Sequence, residues 1–180
     1  NFVNYDLDSI TVNWTESIDS DFFCYTLFRS YINGDPGEEI FTTNQKNITQ
    51  YSFDNFDPNQ LNWFSVVTED ILGLKTRSSF TANEINLPPE SSRIISIDYD
   101  LDSMVVNWEP NGDYDFKNYT ILYSTNQFSG YSPLHQILEN DQTRLILNEF
   151  DPTIENWFKV KTEDYWALFS EGAPTSNQID

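Results

Sequence analysis

The chain has 180 residues, 29 acidic side chains against 9 basic ones, and a formal net charge of −20. That charge excludes nucleic acid as a partner, because binding a phosphate backbone depends on Lys and Arg displacing its counterions, and it disfavours anionic membrane surfaces. One Cys and one His exclude an internal disulfide framework, a Cys-cluster zinc site and most His-based constellations, while 38% hydrophobic and 16% aromatic residues exclude a disordered chain.

The first β-prone run, Ile10-Thr11-Val12-Asn13-Trp14, alternates apolar and polar residues with the period of a half-buried strand. Tyr25-Thr26-Leu27-Phe28-Arg29, Tyr51-Ser52-Phe53 and the run from Trp63 to Val67 follow, separated by clusters such as Asn33-Gly34-Asp35-Pro36-Gly37 that favour turns. After Leu87-Pro88-Pro89-Glu90 the series begins again: Met104 to Trp108, Tyr119 to Tyr123, Leu145 to Leu147, Trp157 to Lys161. No stretch has helical period, and no apolar run reaches the about 18 residues of a membrane span. No basic-then-apolar leader opens the sequence, so a signal peptide is expected to be removed or to lie outside this chain.

The second series is a copy of the first. Tyr5-Asp6-Leu7-Asp8-Ser9 returns as Tyr99-Asp100-Leu101-Asp102-Ser103, Val12-Asn13-Trp14 as Val106-Asn107-Trp108, and Phe56-Asp57-Pro58 as Phe150-Asp151-Pro152. Asn62-Trp63-Phe64 returns as Asn156-Trp157-Phe158, and Thr68-Glu69-Asp70 as Thr162-Glu163-Asp164. Every offset is 94 without a gap, and 29 of the 86 pairs so formed are identical. Acidity follows the repeat: residues 1–86 hold 13 acids and 4 bases, and residues 95–180 hold 15 acids and 4 bases. The expected organisation is two domains, 1–86 and 93–180, joined by a Pro-containing linker at 87–92.

A Trp closing an early strand, a Tyr opening the middle strand after an acidic turn, and an aromatic-x-Pro step before a late aromatic strand resemble the fibronectin type III domain in tandem. The resemblance covers nearly the whole chain. It implies an all-β fold of two seven-stranded sandwiches with Trp14, Tyr25 and Phe64, or Trp108, Tyr119 and Phe158, in the core. It departs from the family pattern in one place: the corner Tyr expected two residues before Phe64 and Phe158 is Asn62 and Asn156. Either Asn builds the corner, or the register slips and Trp63 and Trp157 replace the Tyr. Period-2 alternation favours the first, with both Trp across the outer face of the sheet.

Three groups of residues are candidates for function. Asp6, Asp8, Asp19, Asp21, Asp113 and Asp115 sit in acidic loops that supply candidate calcium ligands, set against the ordinary use of Asp to accept backbone N–H bonds in turns. Trp63, Trp157, Ile71, Leu72, Tyr165 and Trp166 are candidates for a ligand or sugar platform. Asn13, Asn47 and Asn118 open glycosylation sequons. Cys24 reads as a small residue without a repeated base, and His135 as a surface strand residue. No catalytic constellation repeats.

The reading is a non-enzymatic spacer or adhesion segment of a larger secreted or surface protein, of bacterial type. It needs no cofactor besides the calcium in question. It expects protein or glycan partners and neighbouring domains of a longer array, with no nucleic acid and no membrane insertion. The register, which pairs Asn1 with Ile95 inside a first strand, leads to the same expectation of an array. The alternatives are a ligand- or carbohydrate-binding module built on the exposed aromatics, and a subunit of an extracellular filament assembled by strand addition.

Overall fold

A computed structural model describes residues 1–179. The chain divides into two compact units, the first from Asn1 to Asn86 and the second from Leu87 onward. Each is all-β, and no helix occurs among the described residues.

In the first unit β1 (Phe2–Tyr5), β2 (Ile10–Asn13) and β5 (Gln50–Phe53) form one antiparallel sheet in the order β1-β2-β5. The second sheet runs β4 (Glu38–Thr43), β3 (Phe22–Ser30), β6 (Trp63–Asp70), β7 (Lys75–Arg77), with β8 (Thr81–Ala82) also paired to β6. β7 and β8 are therefore two pieces of one seventh strand. Ser78 stands between them; its N–H reaches Val66 O at 2.8 Å, and its Oγ accepts the Val66 N–H at 3.0 Å. The second unit repeats the plan: β9 (Ile94–Tyr99), β10 (Met104–Trp108) and β13 (Arg144–Leu147) against β12 (Ser132–Ile137), β11 (Phe116–Ser124), β14 (Trp157–Asp164) and the split β15 (Phe169–Glu171) and β16 (Thr175–Ser176). These are two fibronectin type III-like sandwiches. The sequence runs had not marked β4 or β12. Both are edge strands whose Glu38-Glu39 and Pro133 depress strand propensity, which an edge tolerates.

Period 2 decides what is buried. β14 alternates strictly, with Phe158, Val160, Thr162 and Asp164 inside and Trp157, Lys159, Lys161 and Glu163 half-buried. Trp108, Tyr119 and Phe158 are at most 1% exposed and join Ile94, Met104, Val106 and Ile121 in the second core. Trp14, Tyr25 and Phe64 join Ile10, Val12, Leu27 and Val66 in the first. Each Trp meets its Tyr edge-on, at 5.9 Å and 67° in the first unit and 5.8 Å and 72° in the second, a geometry the ring quadrupoles favour.

The turn before β4 depends on Gly37, whose φ is +73°. A Cβ there would also run into the Arg29 carbonyl, far inside contact distance. Gly37→Ala is expected to destabilise the first unit by about 3 kcal/mol, combining left-handed strain with overpacking against backbone. Chemical denaturation measures it, and Gly34→Ala is the comparison. Gly34 has φ +83° but open space around it, so that variant suffers the strain alone.

Candidate functional site

The two halves of the chain share a buried polar constellation, the corner at the start of β6 and β14. Asn62 is fully buried. Its Nδ2 donates to Asp57 O at 2.9 Å and Gln60 O at 3.0 Å, and its backbone N–H donates to Asn83 Oδ1 at 2.7 Å. Asn156 repeats this with Asp151 O at 2.8 Å, Ile154 O at 3.1 Å and Asn177 Oδ1 at 2.7 Å. Each Asn thus holds the loop before its strand and the end of the last strand together. The corner is built by Asn, and no register slip occurs.

What approaches the Asn differs between the copies. In the first unit Arg29, only 6% exposed, donates to Asn62 Oδ1 from Nε at 3.1 Å and from Nη2 at 2.7 Å. Its remaining donors reach Asn55 O at 2.8 Å and Tyr31 Oη at 2.7 Å, and its guanidinium lies over the Tyr31 and Phe53 rings. No carboxylate faces it in these contacts. In the second unit the place of Arg29 is taken by Tyr123, whose hydroxyl donates to Asn156 Oδ1 at 3.0 Å. Sequence reading missed Asn83 and Asn177. The signal was present, since Thr81-x-Asn83 returns as Thr175-x-Asn177 at the same offset of 94.

Several carboxylates of the acidic loops accept local hydrogen bonds. Asp6 Oδ1 accepts the N–H groups of Asp8 at 3.0 Å and Ser9 at 2.8 Å, and those bonds, Ser9's first, hold its carboxyl below the usual range. Asp8 is exposed. Asp19 Oδ2 accepts from Ser17 Oγ at 3.1 Å, and the Asp21 carbonyl accepts the Ile71 N–H at 2.9 Å. Asp113 Oδ2 accepts the Glu90 N–H at 2.9 Å and Asn111 Nδ2 at 2.9 Å. Among the described residues no three His, Cys, Asp or Glu side chains form a group able to hold a metal ion.

Asp115 differs from the rest. It is 4% exposed and its Oδ2 has no hydrogen-bond partner. Burial first, and then the nearby Asp164 and Asp113 carboxylates, push its pKa above 3.8. A raised carboxyl binds its proton more tightly folded than unfolded, so its ionisation costs stability as pH climbs from the ordinary value through the raised one. Asp115→Asn is therefore expected to raise the melting temperature of the second unit at pH 7. The gain should vanish below about pH 4, where the unfolded chain also binds the proton. An equal gain at pH 3 and pH 7 would remove the electrostatic cause.

The candidate platform residues fall in two places. Trp63 and Trp157 are half-buried on the outer faces of β6 and β14, and Trp157 Nε1 donates to Glu155 Oε2 at 3.1 Å. Basic stems cover these faces. Arg77 lies over the Phe28 ring at 4.4 Å and donates to Ser65 Oγ at 2.5 Å. Lys159 and Lys161 lie over the Tyr131 and Phe169 rings at 4.5 Å and 4.2 Å. The hairpin tips are separate from these faces. Ile71, Leu72 and Leu74 are 68%, 78% and 69% exposed, on a turn held by Asp70 Oδ1 accepting from Leu72 N at 2.8 Å and Leu74 N at 2.9 Å. The second tip exposes Tyr165 while Trp166 is half-buried, on the same Asp164 bonds.

No family model matches the chain, and no curated protein matches it. Solved structures do. One is a crystal structure of the FN1–FN3 domains of chicken CNTN1, at 14% identity and a TM-score of 0.41, covering 94% of this chain and 60% of that one. Another contains domains A168–A170 of titin, at 16% identity and a TM-score of 0.42, covering 95% of this chain and 58% of that one. The chain thus spans less than two thirds of the length of either.

Cys24 is 7% exposed at the wall of an open groove of about 650 Å³ between Phe23, Phe41 and Ile48. Burial first, and then the Glu69 carboxylate, push its thiol pKa up, which makes it a poor nucleophile. His135 stands exposed on the edge strand β12. Asn118 is 1% exposed within β11, so its sequon is closed to glycosylation in the folded chain.

Proposed function

We propose that this chain is a non-enzymatic spacer and interaction segment of a larger secreted or surface protein, holding or presenting other domains. The observation that supports this is where the two copies agree. Identical pairs fall on turns (Asp6 and Asp100), core (Trp14 and Trp108, Tyr25 and Tyr119), corner (Asn62 and Asn156, Asn83 and Asn177) and hairpin support (Asp70 and Asp164). Several outward positions differ: Ile71-Leu72 against Tyr165-Trp166, Arg77 against Glu171, Phe23 against Lys117. The core, corner and turns are kept while these surface residues change, as expected of modules whose common task is to fold. Net charge of one sign in each copy favours a dispersed, soluble surface.

Stretching single molecules between their ends tests this. Two separate unfolding events are expected, each releasing about 300 Å of chain from roughly 86 residues. A single event, or extension at low force without events, would count against a spacer. The exposed Ile71, Leu72 and Leu74 favour a second reading, a binding module using the hairpin tips. A glycan or protein array hit that disappears on Trp166→Ala or Leu72→Ser would establish it.

A further inference from the structure

The two units differ at one place in a coordinated way. In the second unit, residues 90–93 lie against the sandwich before β9 begins. The Glu90 peptide is gripped from both sides: its N–H donates to Asp113 Oδ2 at 2.9 Å, and its carbonyl accepts from Asn111 Nδ2 at 2.9 Å. Asn111 and Asp113 are themselves locked together, Asp113 N–H to Asn111 Oδ1 at 2.9 Å, and the Asn111 N–H is held by the Tyr119 hydroxyl at 2.6 Å. Further along, buried Ser92 accepts from Thr162 Oγ1 at 3.3 Å, and the Arg93 carbonyl accepts the Glu109 N–H at 2.9 Å. Gly172 forms the floor. Any Cβ there would collide with the Ser92 carbonyl, so only glycine lets the segment pass.

The first unit has different residues at two of these positions. Ser17 stands where Asn111 does, and its Oγ turns to Asp19 Oδ2 at 3.1 Å. Ser78 stands where Gly172 does, and its side chain fills the floor, accepting from Val66 N and from Asn1 Nδ2 at 2.8 Å.

We infer that the second unit carries a groove that reads extended backbone, floored by Gly172 and clasped by Asn111 and Asp113. Its occupant is the chain's own residues 90–93, and a side chain at the floor, such as the serine that the first unit carries at Ser78, would collide with the backbone of a segment running along this path. The groove recognises peptide N–H and C=O groups together with one small hydroxyl side chain, so it is a strand-acceptor site that the chain satisfies internally. Residues 90–92, which read as linker in the sequence, are part of the second domain.

Trypsin and hydrogen exchange test this on the full chain, because Arg93 places a cleavage site inside the clasp and its side chain is 70% exposed. In the wild type the Glu90 amide is expected to exchange at least about tenfold more slowly than the Leu87 amide, and cutting after Arg93 to need opening of the clasp. Asp113→Ala, and Asn111→Ser with Gly172→Ser to copy the first unit, are expected to speed cutting after Arg93 by about tenfold or more. Cutting after Lys117, inside β11, reports unfolding of the whole unit and should stay slow in Asp113→Ala. Glu90 exchange as fast as Leu87 in the wild type would overturn the inference. So would unchanged cutting after Arg93 in Asp113→Ala, or cutting that rises only in step with Lys117.

Discussion

Asn62→Ala is expected to cost the first unit about 3–5 kcal/mol, much of the 5–15 kcal/mol that a domain has. The side chain removed is neutral and small, so apolar burial does not set the cost. The cost lies in what is left behind. The Asp57 and Gln60 carbonyls lose their donor, and a guanidinium that is 6% exposed loses the one acceptor it uses twice. Each stranded neutral group costs about 1–3 kcal/mol, and a stranded charge more. The second unit supplies the control. Asn156→Ala strands equivalent carbonyls but only a neutral tyrosine hydroxyl, that of half-buried Tyr123, so its cost should be nearer about 2 kcal/mol. Denaturant titration followed by circular dichroism measures both. Adding Arg29→Met to Asn62→Ala should recover part of the loss, because the charge that made it expensive is gone. Costs for Asn62→Ala and Asn156→Ala within about 0.5 kcal/mol of each other would mean that the guanidinium is not what makes the first corner costly.

The same corner shows what a sequence exposes and what it conceals. The position of Asn62 and Asn156 came from two sources: the fibronectin type III resemblance implies a corner residue two places before Phe64 and Phe158, and period 2 put those two Phe inward. Trp14, Tyr25, Trp108 and Tyr119 were legible for the same reason, since a strand's alternation is local and a repeat doubles the signal. The partners of the Asn were not legible. Arg29 and Asn83 lie 33 and 21 residues from Asn62, and nothing local marks an arginine as one that will be buried against an amide. The acidic loops concealed their partners as well. Asp6, Asp19 and Asp113 are candidate cation ligands in a string of letters, and in the structure each carboxylate also accepts bonds from donors within its own loop or from the adjoining segment. The segment at 90–93 was concealed for a third reason. Pro88-Pro89 reads as a linker, and the groove that receives residues 90–93 depends on Asn111 and Gly172, two residues that are ordinary turn formers wherever no segment crosses them. Long-range partners, rather than weak propensities, account for most of what the sequence did not show.

Trp108→Ala tests whether each sandwich holds its own core. Trp108 is 1% exposed and packs edge-on against Tyr119, whose hydroxyl in turn holds Asn111 N at 2.6 Å and Asn140 Oδ1 at 2.7 Å. Removing the indole leaves a cavity walled by strands of both sheets, which cannot collapse without breaking ladder bonds, so a loss of about 4–5 kcal/mol is expected. Trp14→Ala should cost less, about 3–4 kcal/mol. Trp14 is 7% exposed, and Phe41, at 6.4 Å and half-buried on the edge strand β4, is free to lean into part of the space. Calorimetry should show one transition displaced in each variant and the other unmoved, because the two buried clusters have no residue in common. If both transitions move together in either variant, the units fold as one cooperative body and the two cores are not energetically separate. If Trp108→Ala costs less than about 2 kcal/mol, the cavity closes, and Tyr119 would have to give up its hydroxyl bonds to close it. That repacking would release Asn111 and with it the clasp on residues 90–93, so faster cutting after Arg93 in this variant would connect the core to the segment that enters it.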